Sequence, residues 1–312
     1  MLAAAGGIGE PELERLGAHV RDRVAAGAPA LAEELDGIAD GAGVAATALW
    51  AVNARTELLG GSGECSLIGR LDGASVRLAQ NWDWHPDLAP SRVIWTIEHD
   101  GTWFTTVTEA GILAKLGLNG RGLACGLNFL TSSVDGGTGG MPVHVLLRRV
   151  LQDCGSLADA LGLLLRAPVA ASSCITLAGA EAEDAGLVGV ELSPGGPALA
   201  WPDGDGVLVH TNHFLGELPA GTDEQPAEHP ATLLRRARLR ELVRRGAGDE
   251  RALACHFPRP EPVCRHADQA VEWLERRATL LSLVVDPGAP SLRVAQGPPC
   301  VTPYEPVPLP RA

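Results

Sequence analysis

A chain of 312 residues is long enough to bury a substantial core, either as one large domain or as two ordinary ones. Hydrophobic residues make up 46% and charged residues 20%, which is typical of a globular protein and excludes extensive disorder. The formal net charge of -13 argues against a general nucleic-acid-binding protein, because no excess of Lys and Arg is available to neutralise phosphates.

The first part of the chain has a helical pattern. Apolar residues recur at helical spacing from Glu12 to about Leu59. The glycine-rich segment 60–63 then ends the pattern, and its glycines allow unusual backbone angles beside Cys65. We therefore expect a helical N-terminal region that stops directly before this cysteine.

Short strands are predicted after Cys65. Apolar or alternating runs are separated by turn residues such as Asp72-Gly73 and Asp100-Gly101, a pattern that predicts antiparallel hairpins. The predicted strands are Leu67–Leu71, Val76–Trp82, Val93–Glu98, Trp103–Thr108, Leu113–Leu118 and Leu123–Leu127. Two helices follow, with Pro142 in the first turn of one and Ser156 as the cap of the other.

The rest of the chain again has strands followed by helices and ends in a hairpin. The sequence predicts strands at 172–179, 187–192 and 206–210, helices at Thr232–Arg245 and Asp268–Arg277, and a final hairpin of Thr279–Asp286 with Ser291–Val294. Two antiparallel sheets covered by helices, in the α+β class, are the architecture that this order favours. No composition shift marks a linker, so we expect residues 1–312 to form a single domain.

The N-terminus and the cysteines limit where the protein acts and what it binds. The segment 1–5 lacks the basic and apolar regions of a signal peptide, and no window reaches the roughly 18 to 20 apolar residues of a membrane span, so we expect a cytoplasmic protein without a membrane partner. Seven widely spaced cysteines without a C-x-x-C pair do not indicate a disulfide framework or a zinc ribbon. We expect no metal and no cofactor, and most of the cysteines to be buried apolar residues.

Three groups of residues could carry chemistry. They are Cys65 with Asp83 of Asn81-Trp82-Asp83-Trp84, then His210-Thr211-Asn212-His213, and then Cys264-Arg265. Each has a structural alternative, because a cysteine can fill a core and Asp or Asn can bond its own backbone in a turn. Two histidines without a third ligand at a recognisable spacing are weak evidence for metal. The arginines of segment 235–245 are interpreted as a solvated helix face.

Taken in this order, the segments resemble the acyl-CoA:6-aminopenicillanate (isopenicillin N) acyltransferase family, the C45 peptidase group of N-terminal nucleophile hydrolases. The resemblance is carried by Ile38-Ala39-Asp40-Gly41, Asn53-Ala54-Arg55-Thr56-Glu57, Glu64-Cys65-Ser66, Gln80-Asn81-Trp82-Asp83, Thr108-Glu109-Ala110-Gly111-Ile112, Leu116-Gly117-Leu118-Asn119, Gly122-Leu123, Gly140-Met141-Pro142 and Val209-His210-Thr211-Asn212-His213. It spans most of the chain after the first thirty residues, and the succession of motifs is more specific than any one of them.

The resemblance implies a fold and a self-processing reaction. The fold would be an αββα four-layer sandwich, and Cys65 would be the autoproteolytic cysteine. Its thiol would attack the Glu64 carbonyl, and hydrolysis of the resulting ester would leave residues 1–64 as a small subunit and 65–312 as a large one. The sequence departs from the family pattern at Glu64, where many relatives have glycine.

The resemblance also assigns roles to distant residues. Asn212 would donate to the oxyanion, and Asp83 with Arg265 would orient the new Cys65 amine. An α-amine has an ordinary pKa of about 7.7 to 8.0, so part of it is neutral near pH 7 and can accept the thiol proton. The nucleophile would then carry its own base.

The substrate class is the part that the sequence leaves open. A Cys65 thioester could pass its acyl group to water or to an amine, and acyl-CoA is a possible co-substrate; amide hydrolysis and acyl transfer are equally favoured. The alternative from another class is an uncleaved, non-catalytic relative that binds a small acyl compound or a protein partner.

Overall fold

The structure, a computed structural model, describes residues 9–59, 65–136, 139–181 and 184–310. Its N-terminal region is helical, as predicted, and consists of α1 (Glu10–Gly27), α2 (Pro29–Ala42), α3 (Ala46–Asn53) and α4 (Arg55–Leu59). Pro29 starts α2, and Gly43, with a φ of 66°, ends it in the left-handed conformation that glycine adopts without strain.

Two antiparallel sheets follow. Sheet A has the order β10-β1-β2-β11-β12-β13, and its strands are β1 (Ser66–Asp72), β2 (Ser75–Trp84), β10 (Val207–His210), β11 (Ala278–Asp286), β12 (Ser291–Ala295) and β13 (Glu305–Pro306). Sheet B keeps the order of the chain, with β3 (Arg92–His99), β4 (Thr102–Glu109), β5 (Leu116–Asn119), β6 (Leu123–Phe129), β7 (Ser173–Glu181), β8 (Asp184–Leu192) and β9 (Ala198–Ala200).

The later helices lie between and after these strands. They are α5 (Val143–Asp153), α6 (Leu157–Leu165), α7 (Gln225–Glu228), α8 (Ala231–Arg244) and α9 (Asp249–Leu253), with short 3-10 helices at Pro86–Ser91 and Trp273–Glu275. Ser156 caps α6 as predicted, since its hydroxyl accepts a hydrogen bond of 3.0 Å from Asp159 N. None of the helices in the described ranges is long and apolar enough to cross a membrane.

Three apolar clusters hold the layers together. One joins α1, α2, α3, α5 and α6 to sheet B, a second fills the space between the sheets, and a third joins α8 and α9 to sheet A. Strand β1 shows how one strand serves two clusters, because Leu67 faces the other sheet while Ile68 faces the helices. The predicted α+β class and the αββα sandwich are therefore confirmed.

The predicted helix over Asp268–Arg277 is wrong. Only Trp273–Glu275 is helical, as a single 3-10 turn. The Arg276 guanidinium donates to the carbonyls of Val271 and Gln269. In an α-helix these carbonyls would accept from backbone N–H groups instead. Trp273 and Leu274 are 40% and 41% exposed, so the segment has no buried apolar face that would stabilise a helix.

Candidate active site

The residues predicted to carry chemistry meet at one end of sheet A. Cys65 directly precedes β1, which lies between β10 and β2. Strand β10 leads into Asn212, while β2 carries Asp83 opposite Thr279 of β11. Residues far apart in sequence are therefore brought to one place by the pairing of four strands.

Asn212 holds the backbone of Cys65. The Cys65 N–H donates to Asn212 Oδ1 over 2.9 Å, and both residues are buried. The carboxamide is itself fixed, because Asn212 Nδ2 donates to Phe129 O over 3.0 Å and Asn212 N donates to Thr232 Oγ1 over 2.8 Å. Asn212 thus orients the cysteine nitrogen, and its role as oxyanion donor stays a prediction.

Arg235 is a site residue that the sequence interpretation missed. The sequence pattern predicts a solvated position on a helix face, which is wrong because its side chain is fully buried. Its Nη1 donates to Cys65 O and Ser66 Oγ, each over 3.3 Å, and its Nη2 donates to Asn212 Oδ1 over 3.0 Å. The signal was present: Arg235 shares the inward stripe of α8 with the buried Leu239.

Asp83 and Arg265 lie together, as the resemblance implied. Arg265 Nε is 4.0 Å from Asp83 Oδ2, and Arg265 N donates to Thr279 Oγ1 over 2.9 Å. Burial raises the pKa of Asp83 to about 7, while Thr279 and the Arg235 cation act in the opposite direction. A carboxyl with that pKa changes charge near neutral pH.

The Cys65 thiol is protonated in this environment. Burial, and after it the Asp83 charge, raises the pKa of the thiol to about 11. The Asp83 amide, Lys115 and Arg235 oppose this rise without cancelling it. The thiol therefore needs a neighbouring base before it can act as a nucleophile near neutral pH.

A buried charge cluster adjoins the cysteine and was also missed. Lys115 Nζ donates to Glu109 Oε1 over 2.5 Å, and Arg55 pairs with both oxygens of the same carboxylate. Burial opposes ionisation of Glu109, but Lys115 and Arg55 outweigh it and hold the pKa of Glu109 at about 2. Burial, and then Arg55, lowers the pKa of Lys115 to about 8. Lys115 is the only lysine of the chain, and this could have indicated a special position.

A small cavity opens beside Cys65. Its volume is about 40 Å³. Its wall is largely apolar and aromatic, with Trp82, Trp84, Leu116, Leu127 and Phe129, and its cations are Arg55 and Lys115. Lys115 Nζ lies 3.9 Å from the Trp82 ring centroid, so the charge cluster and the aromatic wall are in direct contact.

The histidines of the second predicted group support the fold around Asn212. His210 Nε2 bonds to Glu191 Oε1 over 2.8 Å, and both residues are fully buried. Glu191 also accepts from Leu215 N and Gly216 N, so it fixes the segment that follows β10. His213 Nδ1 lies instead 3.0 Å from Thr232 Oγ1.

Glu64 is the predicted residue before the cleaved bond and lies outside the described residues. The four remaining predicted site residues, Cys65, Asp83, Asn212 and Arg265, converge on one region of the molecule. Their catalytic roles stay predictions at this point.

Comparisons with known proteins place the chain in one enzyme family. Residues 71–297 match the family described as acyl-coenzyme A:6-aminopenicillanic acid acyl-transferase, a match that begins after Cys65. The 40 kDa form of acyl-coenzyme A:6-aminopenicillanic-acid-acyltransferase from Emericella nidulans is 28% identical over 287 residues, which cover 89% of this chain and 78% of the relative.

Solved structures show the same fold. An N-acylethanolamine-hydrolyzing acid amidase ortholog from Caenorhabditis elegans aligns with a TM-score of 0.54 at 16% identity, over 72% of this chain and 94% of that one. A conjugated bile acid hydrolase variant from Clostridium perfringens aligns with a TM-score of 0.50 at 12% identity, over 78% of this chain and 96% of that one. The architecture is that of the N-terminal nucleophile hydrolases.

Proposed function

Because the chain belongs to the acyl-coenzyme A:6-aminopenicillanic acid acyltransferase family, we propose that it is a self-cleaving cysteine enzyme that transfers acyl groups. Cys65 is the nucleophile, and the acyl group passes to water or to an amine. The observation that carries this proposal is the hydrogen bond of 2.9 Å from Cys65 N to Asn212 Oδ1. It holds in place the nitrogen that becomes the catalytic amine once the preceding peptide bond is cut.

The first reaction is cleavage of the Glu64–Cys65 bond. Asp83, whose pKa is about 7, accepts the thiol proton, and the sulfur attacks the Glu64 carbonyl carbon. The C–N bond breaks as the Cys65 nitrogen takes up a proton, which leaves a thioester. Water then hydrolyses the thioester to a Glu64 carboxylate and a free Cys65 thiol, and the products are residues 1–64 and 65–312.

Turnover uses the same groups. The Cys65 α-amine accepts the thiol proton, and the thiolate attacks the acyl carbonyl of the substrate. The leaving amine or thiol departs with that proton, and water or an amine then attacks the acyl-Cys65 thioester. Asn212 and Asp83 keep the α-amine beside the sulfur, and the Arg235 cation offsets the Asp83 charge.

The size of the cavity supports an order of events. A space of about 40 Å³ holds a water molecule or two, whereas acyl ligands occupy pockets of about 300 Å³ or more. Substrate binding therefore follows cleavage, when the chain on either side of the cut bond is able to separate. The apolar and aromatic wall favours an apolar acyl group.

The classes of acyl donor and acceptor are inferred from the name of the relative, not from the geometry of the site. The name of the Emericella nidulans protein gives an acyl-coenzyme A donor and an amino-containing acceptor. We propose the same classes here, an acyl-CoA or an acyl amide as donor and an amine or water as acceptor. No cofactor takes part in these steps.

A trapping experiment tests this function. Purified protein is incubated with matched series of N-acyl amides and acyl-CoA thioesters, with and without a primary amine, and acyl-Cys65 is detected by intact mass and peptide mapping. The wild-type chain should form the adduct and release free acid or the new amide. Cys65→Ala should do neither, while Cys125→Ser, which changes a buried cysteine outside the site, should behave as wild type. A wild-type chain that forms no adduct and no product with any donor would refute the proposal.

A further inference from the structure

A second cluster of reactive side chains lies apart from the catalytic cysteine. His256, Cys264, His266 and Cys300 place one nitrogen or sulfur ligand atom each within 4.8 Å of one another. His256 follows α9, Cys264 and His266 lie in the irregular segment before β11, and Cys300 lies in the C-terminal segment after β12. Three separate segments of the chain thus contribute to one point.

The contacts within the cluster converge on one atom. His266 Nε2 lies 3.1 Å from Cys300 Sγ, 3.3 Å from His256 Nε2 and 3.9 Å from Cys264 Sγ. A single imidazole nitrogen either donates one proton or offers one lone pair, so hydrogen bonding does not account for three such neighbours. A cation at the centre does account for them, because each group then turns its ligand atom inward.

The spacings match a tetrahedral zinc site. With Zn–N of about 2.0 to 2.1 Å and Zn–S of about 2.3 Å, tetrahedral angles place two nitrogens about 3.4 Å apart and a nitrogen and a sulfur about 3.6 Å apart. The measured N···N distance is 3.3 Å and the two N···S distances are 3.1 and 3.9 Å. These three distances lie within about half an ångström of the tetrahedral values, and all four ligand atoms lie within 4.8 Å of one another.

We propose that His256, Cys264, His266 and Cys300 bind one Zn²⁺ ion. Two thiolates and two imidazoles are a ligand set that favours zinc over magnesium or calcium, which prefer oxygen. Cys264 and Cys300 bind as thiolates and release their protons to solvent. Four protein ligands leave no open position for substrate, so the site is structural.

Zinc binding would also restrict the position of Arg265, a predicted residue of the active site. Arg265 lies between two of the ligands, and its Nε is 4.0 Å from Asp83 Oδ2. The metal joins this segment to the C-terminal segment at Cys300 and so fixes where Arg265 can lie. Metal binding itself does not depend on the proposed function, and it is tested separately from activity.

The sequence pattern alone does not indicate this site. Ligands spaced as His256-x7-Cys264-x-His266-x33-Cys300 contain no C-x-x-C pair and no H-x3–5-H pair, which are the spacings that indicate zinc. Only the fold brings Cys300 beside the other three.

The test is the metal content of the full chain, purified without a chelator and without a histidine tag. We expect about one zinc ion per chain, measured by elemental mass spectrometry. Cys300→Ser and His256→Ala should each weaken zinc binding by more than about tenfold in a competition with a chromogenic chelator. Cys255→Ser, which changes the neighbouring cysteine outside the cluster, should leave zinc binding unchanged.

A second measurement does not depend on variants. Chelator-stripped wild-type chain titrated with Co²⁺ should develop the visible bands of tetrahedral cobalt and thiolate charge-transfer absorption, which saturate at one equivalent. The proposal is overturned if the purified chain lacks zinc and cobalt gives no such spectrum. It is also overturned if the intact non-reduced mass is lower by two hydrogens and mapping locates a Cys264–Cys300 disulfide.

Discussion

Asp83 makes the stability of the uncleaved chain depend on pH in an unusual direction. Its carboxyl is fully buried, and burial raises its pKa from 3.8 to about 7. Below about pH 4 the carboxyl is protonated in the folded and the unfolded chain alike. Between about pH 4 and 7 the unfolded chain has lost this proton while the folded chain keeps it, so the free energy of unfolding falls as pH rises.

The magnitude follows from the size of the shift. A rise of about three pKa units, at about 1.36 kcal/mol each, corresponds to about 4 kcal/mol lost by about pH 8. The Asp83→Asn substitution keeps the size and shape of the side chain and removes its titratable carboxyl. The stability advantage of Asp83→Asn should therefore grow by about 4 kcal/mol from pH 4 to pH 8.

The assay is urea unfolding at intervals across this pH range. Both chains carry Cys65→Ala, which prevents cleavage, so that only Asp83 differs between them. Glu57, whose pKa burial also raises to about 7, is present in both and cancels in the comparison. In the cleavage-competent chain, self-cleavage should speed up as pH rises through about 7, because ionised Asp83 is the base.

A difference in stability between the two chains that stays constant from pH 4 to pH 8 would contradict a raised pKa for Asp83. That result would mean that the Arg235 and Arg265 cations hold Asp83 ionised at its ordinary pKa. Asp83 would then be a fixed anion, and another group would have to accept the thiol proton.

Three substitutions test other parts of the site. Arg235→Met should slow self-cleavage about ten- to hundredfold, as expected for the loss of a charged hydrogen bond to the Asn212 carboxamide, measured by denaturing electrophoresis over time; the exposed Arg245→Met is the control. Asn212→Leu should lower acyl turnover of any processed protein about 10²- to 10³-fold, measured as product release, and an unchanged rate would remove Asn212 from the oxyanion role. Glu109→Gln should destabilise the uncleaved chain by about 3 to 5 kcal/mol in urea at neutral pH, because it leaves two buried cations without their shared anion, and equal stability would show that the cluster is solvated.

The sequence predicted the sheets well because their signals are local. Alternating apolar residues bounded by Asp-Gly turns predicted the hairpins, and the sandwich followed from the order of helices and strands. The ordered motifs also singled out Cys65, Asp83 and Asn212, which lie directly before β1, near the end of β2 and just after β10.

What the sequence did not predict depends on tertiary neighbours. Arg235 stands among several arginines on one helix, and only packing against sheet A decides that it alone faces Cys65 while Arg245 faces solvent. The predicted helix over 268–277 does not form, and the Arg276 side chain instead donates to the carbonyls of Val271 and Gln269. The histidine and cysteine cluster is brought together by segments that no local pattern connects.

Every step of the proposed turnover depends on Cys65 cutting the bond before it. Intact mass spectrometry of freshly purified and long-incubated protein tests this directly, with Cys65→Ala beside the wild type. The wild-type chain should give two masses, those of residues 1–64 and 65–312, and Cys65→Ala should keep one. A wild-type chain that retains the single mass of all 312 residues after prolonged incubation would contradict it.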